Sequence, residues 1–145
     1  MKKTSKNLTI AHSREKAQRF LNAALSKKAT RPILLRLNQL TAIADYFLIV
    51  SGRSARHVTA IADGIIADAR TDDARIYSVE GLTQGNWVLL DFGEVVVHIF
   101  QDSAREFYDL EGLWRDAPKE ELPPEILKEI EAVEDSFLDD DSFDF

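Results

Sequence analysis

Trp87-Val88-Leu89-Leu90-Asp91-Phe92-Gly93-Glu94-Val95-Val96-Val97-His98-Ile99-Phe100 is the stretch from which the fold is read. Two runs of branched and aromatic residues flank Phe92-Gly93, where the chain reverses, and Gly93 is suited to the positive φ of a type II turn. With Asp91 opposite Glu94, the two-residue period of a strand sends Val88, Leu90, Val95, Val97 and Ile99 to one face. Trp87, Leu89, Asp91, Glu94, Val96 and His98 go to the other. The first set is a core face. The second mixes two acids, a Trp and a His with aliphatics, as a half-covered sheet or a binding patch does.

Upstream, Tyr46-Phe47-Leu48-Ile49-Val50 is apolar on both faces and predicts a central strand. An extended run from Ile33 to Leu37 precedes it. Ala17, Phe20, Leu21, Ala24 and Leu25 recur at helical spacing and predict a first helix capped by Ser13 and reaching about Lys28. Val58, Ile61, Ala62, Ile65 and Ile66 predict a second, capped by Ser54 and reaching about Arg70. Arg75 to Glu80 reads as a short strand. A third helix, from about Ser103 to Leu113, presents Phe107, Leu110 and Trp114 with Tyr108 beside them, and closes over the sheet. After Pro118 the composition turns acidic. Pro123-Pro124 opens one more helix to about Asp135, and Leu138 to Phe145 is Asp-rich and expected to be disordered.

With 145 residues, 45% of them hydrophobic, there is material for one ordinary core. The domain expectation is a flexible segment 1–12, a globular domain 13–117 and an acidic tail 118–145, partly helical or disordered. The absence of Cys excludes disulfides, thiolate zinc sites and a cysteine nucleophile, and suggests a reducing compartment. No run resembles a signal peptide or approaches the roughly 18 apolar residues of a membrane span, so the expectation is a soluble, cytoplasmic protein without a membrane partner. A net charge of -7 argues against a dedicated nucleic-acid site and fits a basic protein partner.

Candidate chemistry is sparse. Ser51-Gly52-Arg53-Ser54 joins a strand to a helix, where backbone N–H groups can hold a phosphate, but an ordinary turn with a Ser cap has the same pattern. Asp91 and Glu94, if side by side across the hairpin, offer two oxygens to a divalent ion, one donor too few for a persuasive site. His12, His57 and His98 lack metal-ligand spacing, and His98 reads more readily as a partly buried strand residue than as a base. Arg53, Arg56 and His57 either touch an anion or pair with Asp45. Trp87 is equally a core residue and the anchor of a contact patch.

Ile43-Ala44-Asp45-Tyr46-Phe47-Leu48-Ile49-Val50-Ser51-Gly52, followed by Ser54-Ala55-Arg56-His57-Val58, resembles a block of the Iojap family of ribosomal silencing factors. Glu80-Gly81, the hairpin Trp87 to Phe100, and Arg105-Glu106-Phe107-Tyr108-Asp109-Leu110-Glu111-Gly112-Leu113-Trp114 follow in the family's order and spacing, so that the resemblance spans about Ser13 to Ala117. It implies an α/β (α+β) fold, a mixed sheet of about five strands flanked by helices, similar to nucleotidyltransferases but lacking their paired catalytic acids: Arg75 to Glu80 offers no such pair. It implies a non-enzymatic protein without a cofactor. Such a protein binds the large ribosomal subunit through a basic face of ribosomal protein number fourteen, sterically blocks joining of the small subunit and so represses translation. By motif position the partner-binding residues are Trp87, Val88, Leu89, Asp91 and Glu94, and a homodimer is a further expectation. Arg31-Pro32 and the acidic tail depart from the family pattern. The alternative is an enzyme with a degenerate metal-nucleotide site at Gly52, Asp91 and Glu94.

Overall fold

The run that is apolar on both faces becomes the interior of the sheet. In the computed structural model, which describes residues 2–139, the strands are β1 (Thr30–Arg36), β2 (Tyr46–Gly52), β3 (Ser78–Glu80), β4 (Trp87–Asp91) and β5 (Val95–Gln101). They form a five-stranded sheet of order β1-β2-β5-β4-β3. The central β2 and β5 are parallel and the other neighbours antiparallel, giving the mixed sheet that the resemblance implied. Every residue of β2 is buried, as a strand covered on both faces requires.

The helices are α1 (Lys2–Ser26), α2 (Ala55–Thr71), α3 (Asp102–Tyr108), α4 (Leu110–Leu113) and α5 (Pro124–Asp139). One sheet face, with Leu34, Tyr46, Leu48, Val50, Val88, Leu90, Val95, Val97 and Ile99, packs against Ala17, Phe20, Leu21, Ala24 and Leu25 of α1 and Val58, Ile61, Ala62 and Ile65 of α2. These are the stripes that helical periodicity marked. The opposite face carries Leu35, Phe47, Ile49, Val96 and Phe100, and Ala104 of α3, Leu110 of α4 and Trp114 just after it cover part of it.

Several boundaries differ from expectation. Ser13 does not cap α1, whose helical backbone extends back to Lys2. Ser13 is fully buried, and its hydroxyl lies 3.0 Å from the Thr9 carbonyl and 2.7 Å from Asp45 Oδ2, tying the helix to the loop before β2. At the other end, Lys28 takes a left-handed φ of 64°, and the Ala29 N–H donates to the Ala24 carbonyl, closing α1 in a Schellman arrangement. Ser54 caps α2 as expected, accepting from the His57 N–H at 3.0 Å.

The hairpin register is Asp91 opposite Val96, not Asp91 opposite Glu94. Phe92 is too apolar to sit in the turn. It is fully buried, stacked on Phe20 at 4.1 Å, and its N–H donates to the Val95 carbonyl, so the turn falls on Gly93 and Glu94. Gly93 has the expected positive φ, 89°. The shift is an even number of residues, so every strand residue keeps its expected face and only Glu94 leaves it.

The third helix is broken in two by Asp109, whose left-handed backbone ends α3 while its side chain accepts from the Gly112 N–H and starts α4. The segment after Pro118 is also more structured than a tail. Arg36 N–H donates to Pro118 O and Glu120 N–H to Leu34 O, which covers the free edge of β1. α5 then packs on α1 and β1, burying Ile126 and Val133. Residues 140–145, part of the end expected to be disordered, lie outside the described residues.

Candidate protein-binding face

Period-2 alternation places Trp87, Leu89 and Asp91 on the face opposite α1 and α2, and all three are half-buried. The Trp87 ring lies over Phe100 at 4.8 Å, and its Nε1–H donates to His98 Nδ1 at 3.1 Å. That bond requires Nδ1 of His98 to be an acceptor, so the ring is the neutral tautomer protonated on Nε2. Burial pushes the His98 pKa down to about 4, and its Nε2 has no hydrogen-bond partner among the described residues. His98 is thus a neutral fixture beneath Trp87. Phe47 packs against His98 at 4.5 Å and against Trp114 at 5.7 Å, extending the aromatic floor.

Asp91 Oδ1 accepts from the Gly93 N–H at 2.8 Å, which fixes the carboxylate at the end of the hairpin. Val88 is fully buried against the helices, so its side chain supports the strand from behind and does not reach the exposed face. Glu94 pairs with Lys16 of α1 at 2.6 Å instead of standing beside Asp91. Burial works to raise the Glu94 carboxyl, but the bonds from Lys16 and from its own backbone N–H, with the Lys16 and His12 charges, hold it below the usual carboxylate range.

The metal-nucleotide alternative fails on this geometry. Gly52 pairs with Gln101 at one end of β5, and Asp91 with Val96 near the other, which separates them by roughly 15 Å along the sheet. Among the described residues, no three His, Asp or Glu side chains converge as a metal site. The turn after β2 is also committed: the Arg53 N–H donates to His57 Nδ1 at 2.9 Å, and His57 Nε2 donates to the Lys27 carbonyl at 2.8 Å. Burial, against the pull of the Lys27 carbonyl, lowers the His57 pKa, so His57 is a neutral brace joining α2 to the end of α1. The expected pairing of Arg53 with Asp45 is not formed, since Asp45 precedes β2 and Arg53 follows it. Arg53 instead lies over the Phe137 ring of α5 at 4.6 Å.

Sequence reasoning missed Arg105. It is buried, bonded through Nε to Glu111 at 2.5 Å and through Nη1 to the Arg31 carbonyl and Ser51 Oγ at 2.6 and 2.9 Å. Arg31 has a left-handed φ of 51°, and that turn of the backbone presents its carbonyl to the guanidinium. The contact crosses more than fifty residues of sequence, and no local pattern announces it.

No helix among the described residues is long and apolar enough to cross a membrane. A family model described as "Ribosomal silencing factor during starvation" matches residues 10–141. The ribosomal silencing factor RsfS of Halalkalibacterium halodurans is 42% identical over 110 residues, covering 76% of this chain and 94% of that protein. The RsfS of Bacillus subtilis is 41% identical over 96 residues, covering 66% and 81%. A crystal structure of a Bacillus halodurans protein aligns with a TM-score of 0.68 at 38% identity, over 75% of this chain and 99% of that one.

Proposed function

Since the chain belongs to the ribosomal silencing factor family, we propose that it represses translation by docking on the large ribosomal subunit and keeping the small subunit from joining. The partner in this reading is a basic face of large-subunit ribosomal protein number fourteen. The mechanism is occupancy of a surface and requires no turnover of substrate or cofactor. The observation that carries it is the partly open side of β4. Trp87 is held flat by its bond to His98, with Leu89 and Asp91 following on the same face.

Each residue has a distinct part. Trp87 supplies an apolar anchor whose one polar atom is already satisfied, so that burial under a partner leaves no donor unpaired. Leu89 extends the apolar centre. Asp91, preset by the Gly93 N–H, meets a Lys or Arg at the rim and favours a basic partner over an acidic one. Val88 acts from the core beneath the strand, and Glu94 holds the hairpin end to α1 through Lys16.

The test is sedimentation of the full chain with separated large and small subunits, alongside Trp87→Ala and Asp91→Lys. The expected result is that the wild type travels with large subunits and reduces subunit joining, while both variants fold and stay unbound. A wild-type protein that remains at the top of the gradient would overturn the proposal.

A further inference from the structure

We infer that Phe107 and Tyr108, at the exposed elbow between α3 and α4, form a second lobe of the partner-binding surface that takes an apolar ridge on a basic protein. The inference rests on the proposed docking and extends it to a different element of the fold. Phe107 is 82% exposed and Tyr108 53%. The Tyr108 ring is 4.9 Å from Trp87, and Phe107 meets Tyr108 edge-on at 5.1 Å. The aromatic surface therefore runs unbroken from β4 onto α3.

The exposure is built into the fold. Arg105, two residues before Phe107, bolts α3 to Ser51 and to the Arg31 carbonyl, and its pairing with Glu111 bolts α4 as well. In one continuous helix Phe107 and Leu110 would share a stripe, being three residues apart. The left-handed backbone of Asp109 separates them: Leu110 packs on the sheet and Phe107 faces outward. Because Arg105 anchors the backbone that carries the ring, a partner need not order the segment in order to cover it, which favours binding.

Charge selects the partner. Arg105 is the one basic residue of α3 and α4, and it is buried, whereas Glu106 and Asp109 are exposed beside the rings. With Asp91 and exposed Glu80 on the neighbouring strands, the fringe is acidic. It complements a basic protein. A second copy would set this fringe against itself, because a twofold contact pairs like patch with like.

The experiment measures binding of the full chain to purified large subunits for wild type, Phe107→Ala, Glu106→Lys and Trp87→Ala, with far-ultraviolet circular dichroism and urea unfolding of each. Phe107→Ala is expected to weaken binding at least about tenfold with unchanged unfolding, and Glu106→Lys to weaken it by about threefold or more at low salt. Wild-type affinity in both variants, with Trp87→Ala impaired, would overturn the inference while leaving the proposed docking intact. Failure of the wild type to bind overturns the docking itself. A dimeric free chain that becomes monomeric in Phe107→Ala would assign the lobe to a second copy and also overturn the inference.

Discussion

The two faces of the sheet are built from different chemistry. Against α1 and α2 the sheet presents mostly Val, Leu and Ile, joined by Tyr46 and by Phe92 from the turn, and these positions are fully or almost fully buried. On the other side Phe47, Trp87, His98 and Phe100 stand among Leu35, Ile49, Leu89 and Val96, with Trp114 reaching down from the segment after α4. Aliphatic side chains gain from close packing alone, whereas a ring at the open edge of the sheet also offers a broad flat surface to a partner. Both faces therefore hold the fold, and only the partly open edge of the second, at Trp87, Leu89 and Asp91, is accessible to the proposed recognition. Damage to the first is expected to act through stability, and damage at the open edge of the second through binding.

The largest effect expected is from Phe92→Ala, which removes a fully buried ring stacked on Phe20 and lowers stability by about 3–5 kcal/mol in urea unfolding. Any loss of ribosome docking in that variant should track the unfolded fraction. Retention of near wild-type stability would break the proposed division between the faces.

The second prediction concerns acid. The pKa of His98 is held at about 4 in the fold against 6.5 for the free side chain, so between these values the unfolded chain takes up the proton more readily. Stability is expected to fall as pH drops from about 6.5 toward 4, by about 3 kcal/mol from this group alone. His98→Gln should flatten that part of a pH series of urea midpoints. His57, also lowered by burial, contributes in the same direction. An unchanged slope in His98→Gln would show that the buried imidazole is not its source.

Trp87→Ala sharpens the comparison most directly. It should weaken docking on large subunits by about thirtyfold or more, while costing about 2–3 kcal/mol of stability, less than a fully buried ring, because Trp87 is only partly buried. The smallest effect expected is that of Glu94→Gln. Its ion pair with Lys16 is partly solvated and should contribute about 1 kcal/mol or less, diminishing in salt and lost as pH falls through the depressed Glu94 pKa. Docking should change by less than about threefold, and a tenfold loss would return Glu94 to the contact surface.

Much of this was legible locally. The stripe on α1, the stripe on α2 with its Ser54 cap, and the burial of β2 follow from short-range periodicity, and periodicity is what burial against one neighbour imposes. Where reading went astray, a distant contact had overridden a local preference. Phe92 resembles a turn residue only until Phe20 lies beside it, and Ser13 resembles a cap only until Asp45 reaches it. The chain after Pro118 resembles a solvated tail, yet the open edge of β1 recruits its backbone. Of the five residues assigned to the contact, alternation alone placed Trp87, Leu89 and Asp91 together, and the same alternation sends Val88 to the core.

The sequence by itself determined which residues are apolar at which period, and with that the helices, the central strands and the face on which Trp87 lies. The tertiary structure alone decided that His98 is held neutral beneath Trp87, that Glu94 turns to Lys16 and that Arg105 fixes an elbow with Phe107 facing outward. The reason is physical: periodicity records contact with one extended neighbour, whereas a buried charge or a shared proton is defined by a few atoms brought together from distant parts of the chain.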